Sequence, residues 1–439
     1  MKKNISIYGM GFVGFPLLLL LAKSNQETIG VDTSETLIQK LKKGIIPFYE
    51  KNLQKFYKKI KDNKKITFTS KLSSEQHKKT NVYIICVGTP LINIKKTDNR
   101  ALLRVAKEIS KNLNNDDLII LRSTVNIGTT RDLLLPILNK SKKQFHISFC
   151  PERTLEGDSI NELIKNPQII SSNTKFGLNE TNKIFKLFLK RTIPVSSLET
   201  AELIKLMDNL YRNFNFSFAN QIGILCDKIG IQSKEVIEGA NKFYKRTNIA
   251  KPGPVGGPCL SKDPYIFASS LKKFKLSNDF IILSRKTNDK VVDEIADYIT
   301  NFLIYKKNSR VNYKISFLGL AFKGFPVTDD IRSSSTIEIF KKIKNKLKNS
   351  KYYCFDPVVK KKVILENNLE YCSDYKYAFL KSDVVIICNN SNDFKKLNLK
   401  KYSHLMNKDS LIYDVWNLFD YIKIKDNLNC KIKSFGNFY

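Results

Sequence analysis

The glycine-rich stretch near the start of the chain constrains the fold more than any other feature. Residues 4–8 (NISIY) have the apolar character of a buried strand, and GMGFVG at residues 9–14 follows them and opens a helix at residues 17–23. A second strand, residues 28–31, ends in Asp32. Strand, G-x-G-x-x-G, helix, strand and acid in this order predict a doubly wound α/β sheet that binds a dinucleotide.

Each position of this loop has a physical role in such a site. Gly9 makes the tight turn, Gly11 lets a pyrophosphate approach the backbone, and Gly14 lets the helix pack against the strand. Phe12 and Val13 complete the loop, which leads into a helix whose N-terminal amides would face the phosphates.

The acid after the second strand distinguishes between two cofactors. Asp32 would accept hydrogen bonds from the ribose hydroxyls and would repel a 2′-phosphate. We therefore expect NAD rather than NADP. The basic start followed by FPLLLLLA also resembles a signal peptide, but a cleaved segment would need neither the glycine spacing nor the acid.

Two further strands end in short motifs that suit ligand contacts. Residues 82–87 (VYIICV) are followed by Gly88-Thr89-Pro90, and residues 118–122 (LIILR) are followed by Ser123-Thr124. Because ligands bind beyond the carboxyl ends of strands in doubly wound sheets, we expect both motifs near the nicotinamide half of the cofactor. Helix N-capping is the alternative explanation, and the two roles are compatible.

A fifth strand, residues 145–149 (FHISF), leads into an acidic motif. Cys150-Pro-Glu152-Arg153 follows it directly, and Glu156 comes shortly after. Acids again stand beyond a strand end. Cys150 is expected to be a packing residue, because the proline after it favours an extended conformation.

The middle of the chain combines long helices with a loop that contains a cysteine. Helical periodicity extends for about thirty residues from Leu198, and Lys205 and Asn209 project from one face of that helix, which a solvated surface would also explain. Residues 252–264 (PGPVGGPCLSKDP) hold Cys259 between prolines and glycines, which exclude regular structure. A nucleophilic thiolate or a buried cysteine in a rigid turn would both fit this loop.

Strand patterns return in the last third and predict a second α/β domain of similar winding. KISFLGLAF, YYCFDP, VVIICNN and LIYDVWN repeat the order of the first third. The loop after the first of these strands lacks G-x-G-x-x-G, so it should bind something other than a dinucleotide. It carries Lys323 and Arg332, which suit phosphate or carboxylate. Helical patterns at residues 233–241 and 265–279 flank the cysteine loop.

Composition bears on partners and compartment. The net charge of +34 attracts polyanions, but the lysines are scattered and no nucleic-acid-binding motif is present, so no specific nucleic acid is expected. The eight cysteines lie far apart without a CxxC pair, which favours a reducing, cytoplasmic compartment and no metal site. No apolar run approaches the ~18 residues that cross a bilayer.

Seven motifs in order resemble the UDP-glucose/GDP-mannose dehydrogenase family over essentially the whole chain. They are GMGFVG, VGTP, RSTV-x-x-GTT, PER-x-x-EG, AELIKLMDN, PGPVGGPCLSKD and GLAFKGFPVTDDIRSS. The resemblance implies two Rossmann-like domains joined by a central helical dimerisation region: an NAD-binding domain at 1–195, the helical region at 196–300 and a UDP-sugar-binding domain at 310–439. It also implies a homodimer or higher homo-oligomer.

The resemblance further implies a two-step oxidation of C6 of a UDP-sugar, from alcohol to acid, with two NAD and no metal. Cys259 would trap the aldehyde as a thiohemiacetal, and Lys205 and Asn209 would stabilise the developing oxyanion. Asp263 and Thr124 would hold a water for proton transfer. Glu152 would assist hydrolysis of the thioester. Substrate contacts are expected from Glu156, Lys205, Arg246, Gly256, Gly257, Lys323 and Arg332.

The sugar is less strongly indicated than the reaction. CPER at 150–153 and Arg246-Thr-Asn-Ile resemble the branch that acts on UDP-N-acetylmannosamine or UDP-N-acetylglucosamine. Pro258 stands where that branch has histidine, Lys262-Asp263 resembles the UDP-glucose enzymes, and Trp416 stands where many members have arginine. UDP-glucose therefore stays open as an alternative, as do a hydroxyacid dehydrogenase, an inactive nucleotide-binding protein and a basic nucleic-acid binder.

Overall fold

A computed structural model describes residues 3–61, 65–92, 96–305, 312–424 and 428–437 of the chain. The chain forms two compact units. The first comprises Met1–Asn209 and Tyr265–Asn278, and the second comprises Leu210–Pro264 and Asp279–Tyr439. None of the helices in the described ranges has both the length and the apolar character needed to cross a membrane.

The first unit is built on an eight-stranded sheet. Its order is β10-β9-β8-β7-β4-β1-β2-β3, parallel except where β8 meets β9. Strands β3-β2-β1-β4-β7-β8 have the doubly wound order that the glycine loop predicts. The strands are β1 Asn4–Tyr8, β2 Glu27–Val31, β3 Ile66–Thr69, β4 Val82–Ile85, β7 Asp117–Leu121, β8 Phe145–Phe149, β9 Gln168–Ser172 and β10 Thr192–Pro194, with a small hairpin of β5 Leu91–Ile92 and β6 Lys96–Thr97.

The helices of this unit cover the sheet. The first, α1 (Gly14–Lys23), is buried at every position except its last. It starts three residues before the predicted residue 17, because proline is tolerated in the first turn of a helix and Pro16 lies there. The others are α2 Glu35–Lys42, α3 Leu53–Ile60, α4 Ser74–Lys79, α5 Arg100–Asn112, α6 Leu135–Leu138, α7 Ser159–Lys165 and α8 Lys175–Lys186, with a π-helical turn at Thr130–Leu134 and a 3₁₀ turn at Asn139–Ser141.

Long helices make up the central region, as predicted. They are α9 Leu198–Ile229, α10 Ser233–Asn241, α11 Asp263–Lys273 and α12 Asp279–Tyr305. The helix predicted at 265–279 was placed wrongly at its far end. It ends at Lys273 because Lys275 adopts a left-handed φ of 58°, which a helix cannot continue through.

The second unit contains a six-stranded, all-parallel sheet of order β13-β12-β11-β14-β15-β16. This confirms the second α/β domain of similar winding. Its strands are β11 Lys314–Leu318, β12 Lys351–Phe355, β13 Glu370–Tyr371, β14 Val384–Ile387, β15 Leu411–Asp414 and β16 Lys431–Ser434. Its helices are α13 Ser335–Lys346, α14 Lys361–Glu366, α15 Tyr375–Phe379, α16 Asn392–Lys395, α17 Leu399–Ser403 and α18 Tyr421–Ile424.

Candidate active site

The glycine loop after β1 has two glycines that packing requires and one that it does not. Gly9 has φ 94°, and a Cβ there would lie 2.8 Å from the carbonyl oxygen of Cys86. A Cβ on Gly14 would overlap the carbonyl oxygen of Gly9. A Cβ on Gly11, by contrast, would meet no atom within 4 Å. The open space at Gly11 is what the close approach of a pyrophosphate requires, so the loop fits a dinucleotide.

Asp32 supports this loop from the end of β2. Its Oδ2 accepts from the Met10 amide and its Oδ1 from the Ser34 amide, each at 2.9 Å. A carboxylate has about four acceptor positions, so two amides leave capacity for ribose hydroxyls. In the same loop, the Phe12 ring packs against Phe48 with centroids 4.4 Å apart.

The motifs after β4 and β7 are tied to each other within the first unit. Thr89 Oγ1 donates to the Thr124 carbonyl at 2.5 Å, and Ser123 Oγ donates to the Val87 carbonyl at 2.6 Å. Both hydroxyls therefore link the two strand ends rather than cap a helix. A Cβ on Gly88 would meet no atom within 4 Å, which again leaves space beside the sheet edge.

Glu152 forms a buried ion pair that the sequence did not predict. Arg122 Nη2 donates to its Oε2, and the Thr154 amide donates to its Oε1 at 2.8 Å. Burial alone would raise the pKa of Glu152, but the Arg122 charge and these donors lower it below its ordinary value. Arg122 is itself fixed by Gln168, whose Oε1 accepts from Nη1 at 2.9 Å. Glu152 is therefore an ionised carboxylate at neutral pH.

The rest of the acidic motif is held by residues outside it. Arg153 donates to Asp208 on α9 at 3.3 Å and to the Pro167 carbonyl at 2.7 Å. Glu156 is half-buried. The two amides after it, at Gly157 and Ser159, donate to the buried carboxylate of Glu50. Glu50 thus fixes the turn that carries Glu156.

Lys205 and Asn209 lie on α9 with only 9% and 6% of their surface exposed, so this helix face is not a solvated one. Glu202, one turn earlier, accepts from the Gly128 amide at 2.5 Å and from the Thr130 amide and hydroxyl at 2.9 and 2.6 Å. Burial raises the pKa of Glu202 to about 7, although the three donors oppose the shift. This contact fixes α9 against the loop that follows RSTV.

The cysteine loop lies in the second unit and exposes its thiol. Cys259 is exposed, and its carbonyl accepts from the amides of Lys262 and Asp263 at 3.1 and 2.9 Å. Asp263 is fully buried and pairs with Lys262 Nζ at 2.9 Å. The loop therefore turns tightly after the thiol and leads directly into α11.

The two glycines before Cys259 have a packing role. Gly257 has φ 92°, and a Cβ there would lie 2.6 Å from the Phe322 ring. A Cβ on Gly256 would lie 2.5 Å from the Ser333 carbonyl oxygen, which accepts from the Gly257 amide at 2.9 Å. Close packing against the loop after β11 thus requires both glycines. Their predicted contact with substrate stays a prediction.

The other seven cysteines differ from Cys259 in burial. All eight lie in the described ranges, none is joined in a disulfide, and Cys259 is the exposed one. Burial raises the pKa of Cys86 and Cys150 to about 12. Cys150 is fully buried, which confirms its packing role. Nowhere in the described ranges do three His, Cys, Asp or Glu side chains form a group that could hold a metal ion.

The three cationic side chains of the second unit that are predicted to bind substrate differ in the contacts that they make within the protein. Arg332 directs Nε and Nη2 at the Asp330 carboxylate at 2.8 and 2.6 Å, so a phosphate would have to share or replace this partner. Lys323 Nζ lies 5.4 Å from the Phe322 ring centroid. Arg246 is exposed in the turn after α10, with its guanidinium over the Tyr244 ring.

Trp416, the last of the positions that bear on the predicted sugar, packs against the cysteine loop. Its indole nitrogen donates to the Cys388 carbonyl at 3.1 Å. A Cβ on Gly253 would lie 2.8 Å from the indole ring. An aromatic surface therefore supports the start of the loop.

The predicted site residues divide between the units. The first unit holds Gly9, Gly11, Phe12, Val13, Gly14, Asp32, Gly88, Thr89, Pro90, Ser123, Thr124, Glu152, Glu156, Lys205 and Asn209, and the second holds Arg246, Gly256, Gly257, Cys259, Asp263, Lys323 and Arg332. Sequence reasoning missed Glu50, Arg122, Gln168 and Glu202. Only Arg122 had a local signal, as a charge at the end of an apolar strand.

Three family models of the UDP-glucose/GDP-mannose dehydrogenase family match the chain in order. The NAD binding domain matches residues 3–189, the central domain residues 199–290 and the UDP binding domain residues 316–421. Together they account for most of the chain, and they confirm the predicted fold class and the NAD cofactor.

Curated relatives and solved structures agree with the family models. The UDP-N-acetyl-D-mannosamine dehydrogenase of Methanococcus vannielii is 30% identical over 445 residues, covering 99% of this chain and 97% of the relative. That of Methanocaldococcus jannaschii is 30% identical and covers 95% and 93%. The structure of a UDP-D-ManNAc dehydrogenase from Pyrococcus horikoshii matches with TM-score 0.88 and 27% identity, covering 99% of both chains. The chain belongs to the UDP-glucose/GDP-mannose dehydrogenase family and is an NAD-dependent oxidoreductase of CH–OH groups.

Proposed function

We propose that this protein oxidises the C6 alcohol of a UDP-sugar to a carboxylate in two NAD-dependent steps. The observation that carries the proposal is the exposed thiol of Cys259 in a rigid loop, whereas the other seven cysteines are wholly or partly buried. UDP-N-acetyl-D-mannosamine or UDP-N-acetyl-D-glucosamine is the proposed substrate. The CPER motif at 150–153, the RTNI motif at 246–249 and relatives named UDP-N-acetyl-D-mannosamine dehydrogenase support that choice.

The chemistry requires a covalent intermediate between the two oxidations. NAD, when bound, accepts one hydride from C6 in each step. After the first, the Cys259 thiolate adds to the aldehyde carbon and holds it as a thiohemiacetal, so the aldehyde does not escape. The second oxidation gives a thioester, and water then releases the carboxylate and the thiol. One alcohol, two NAD and one water thus give one carboxylate, two NADH and three protons.

We assign the remaining roles in the reaction to five polar side chains. Lys205 and Asn209 donate to the oxyanion that develops at C6. Asp263 and Thr124 hold a water for proton transfer. Glu152 orients the water that hydrolyses the thioester, and its ionised state beside Arg122 supports this role because only a carboxylate can accept that proton.

We also assign roles to the parts of the chain and ligand contacts to single residues. We assign 1–195 to NAD, 196–300 to the helical region and 310–439 to the UDP-sugar, in agreement with the ranges of the family models. The cofactor contacts are assigned to the glycine loop, Asp32 and the motifs at 88–90 and 123–124. The substrate contacts are assigned to Glu156, Lys205, Arg246, Gly256, Gly257, Lys323 and Arg332.

We further propose a homodimer formed through α9. Tyr211, Phe218 and Leu225 are spaced seven residues apart on this helix, so they share a face, and they are 60%, 55% and 49% exposed. Such an apolar stripe supports an interface between copies, which the mass in solution would reveal. The eight thiols without a disulfide support a reducing, cytoplasmic location.

Turnover of UDP- and GDP-sugars, followed by NADH formation, tests this function. We expect two NADH and one carboxylate per sugar, with the acetamido UDP-sugars ahead of UDP-glucose. Cys259→Ala should lose steady turnover by more than the roughly 10²–10⁴-fold typical of one acid–base group. Cys259→Ser should stall with sugar attached, because an ester at this position hydrolyses slowly.

Matched cysteine variants serve as the control. Cys150→Ala and Cys388→Ala remove buried thiols, so they should change stability more than rate. If Cys259→Ala kept two NADH per sugar at the wild-type rate, the covalent mechanism would be wrong.

A further inference from the structure

The first half of the cysteine loop has few backbone amides that could donate hydrogen bonds. Pro252, Pro254 and Pro258 carry no amide hydrogen, so the loop is short of internal donors. The residues from Pro252 to Val255 are nevertheless buried. Buried carbonyls in such a segment need donors from elsewhere in the protein, since an unsatisfied buried carbonyl is costly.

Arg285 on α12 supplies these donors on both sides of the thiol. Nη2 donates to the carbonyl of Val255 at 3.0 Å, and Nη1 donates to the carbonyl of Leu260 at 3.2 Å. The guanidinium is planar and rigid, so the two bonds fix the distance between a residue before Cys259 and the residue directly after it. Arg285 is 2% exposed, which keeps water from replacing it.

A chain of buried asparagines holds the start of the same loop. Asn220 Oδ1 accepts from the Gly253 amide at 2.8 Å, and its Nδ2 donates to Asn288 Oδ1 at 2.8 Å. Asn288 in turn donates to the carbonyl and the side chain of Asn213 at 3.0 and 2.9 Å. All three asparagines are fully buried. Because α9 carries Asn213 and Asn220 and α12 carries Asn288 and Arg285, both helices contribute to holding the loop.

We propose that Arg285 is a positioning residue for Cys259. Asn220 supports the start of the same loop through its bond to Gly253. Arg285 acts by fixing the backbone on either side of the thiol. This inference rests on the proposed role of Cys259 as nucleophile. If the Cys259 thiol is not held in position, it adds to the aldehyde more slowly. The rate of the second oxidation should therefore fall more than the rate of the first.

The decisive variant is Arg285→Lys in the full-length protein. An ammonium is a single point that cannot span two carbonyls in a fixed geometry. We expect kcat to fall by on the order of 10²-fold, the effect of a misplacement of about 1 Å. NADH per sugar should fall from two towards one, with aldehyde trapped by semicarbazide. Amide hydrogen exchange at residues 253–262 should accelerate at least about tenfold, as local opening predicts.

Two further variants provide the controls. Asp289→Asn alters the 58%-exposed carboxylate that Arg285 also contacts, and it leaves both loop carbonyls bonded, so turnover should stay near wild type. Arg285→Met removes the donors to both loop carbonyls, and the one charge that it leaves unpaired, Asp289, is 58% exposed. It therefore tests the proposal if the lysine variant fails to fold.

The proposal is overturned if Arg285→Lys or Arg285→Met keeps two NADH per sugar at the wild-type rate. It is also overturned if turnover falls only in proportion to the folded fraction while the ratio stays at two, since that marks a structural role alone. Hydrogen exchange does not depend on sugar. Faster exchange in the Arg285→Lys loop together with an active Cys259→Ala variant would therefore reject the proposed function. It would keep the inference that Arg285 holds the loop.

Discussion

The two large sheets of this protein have the same turn after their first strand but differ in the loop that follows it. The Gly9 amide donates to the Val31 carbonyl at 2.8 Å, and the Gly319 amide donates to the Phe355 carbonyl at 2.8 Å. Both glycines have a left-handed φ, of 94° and 97°. The same turn thus follows the first strand in each sheet, and an aspartate follows the second.

The two aspartates differ in how many backbone amides donate to their carboxylates. Asp32 accepts from two amides and lies partly exposed. Asp356 is 6% exposed. Its carboxylate accepts from four amides, at Leu320, Ala321, Val358 and Val359. Four amides match the roughly four acceptor positions of a carboxylate. The second acid therefore supports the fold, whereas the first retains capacity for a ligand.

The loops differ in one residue and in where the helix begins. Ala321 stands in the second sheet where Gly11 stands in the first. Helix α1 starts at Gly14, but α13 starts at Ser335, after a loop that carries Arg332. Moving the helix start away from the turn removes the phosphate cradle of a dinucleotide site. One scaffold thus serves two ligands through the length and composition of one loop.

The largest expected effect comes from Asp356→Ala. It leaves four amides without an acceptor, three of them buried and that of Val358 partly buried, and each costs about 1–3 kcal/mol when buried. We therefore expect a loss of about 4 kcal/mol or more in unfolding free energy. Asp32→Ala should lose less than half as much and should narrow the kcat/KM preference for NAD over NADP. Urea unfolding of both variants and kinetics of the second measure these effects. Equal destabilisation would contradict the comparison.

Glu202 also accepts from backbone amides, and in this residue burial and hydrogen bonding shift the pKa in opposite directions. Its folded pKa is about 7, against about 4.3 in an unfolded chain. The folded state thus binds the proton more tightly, so this stabilisation is fully present below about pH 4.3 and is lost as pH rises through about 7. The change amounts to roughly 4 kcal/mol.

The matched variant is Glu202→Gln, which cannot ionise. Between about pH 5 and pH 8, the wild-type unfolding free energy should fall by about 2.5 kcal/mol relative to that of this variant, which is most of the change given above. Denaturant unfolding at several pH values measures the difference. A difference that stayed constant with pH would show that the three donors outweigh burial.

The smallest effect on stability is expected for the middle glycine. Because a Cβ at Gly11 meets no protein atom, Gly11→Ala should leave stability unchanged or raise it by up to about 1 kcal/mol. The Kd for NAD should nevertheless rise at least about tenfold, equivalent to 1.4 kcal/mol. Ala321→Gly is the control and should gain no dinucleotide affinity. Calorimetric titration with NAD measures the Kd of each variant. An unchanged Kd in Gly11→Ala would refute the assignment of this space to the cofactor.

Local patterns in the sequence predicted the sheets, the long central helices and an irregular loop around Cys259, whereas the exposure of Cys259 was left open. Alternating strand and helix periods, the glycine spacing and the density of prolines are all readable within a short window. Arg122 beneath Glu152 and Arg285 beneath the cysteine loop could not be predicted in the same way. Their partners lie far away in the chain, and only the fold brings them within hydrogen-bonding distance. Polar contacts between residues far apart in the chain produce no periodic pattern in the sequence.

Trp416 gives the cysteine loop an optical reporter. It is the one tryptophan among 439 residues, its indole is hydrogen-bonded to the Cys388 carbonyl, and its ring packs on Gly253 at the start of the loop. Indole emission depends on the polarity and mobility of its surroundings, so selective excitation of tryptophan reports on this one place. Movement of the loop can therefore be followed in the unlabelled protein, in real time, by the colour and polarisation of its own fluorescence.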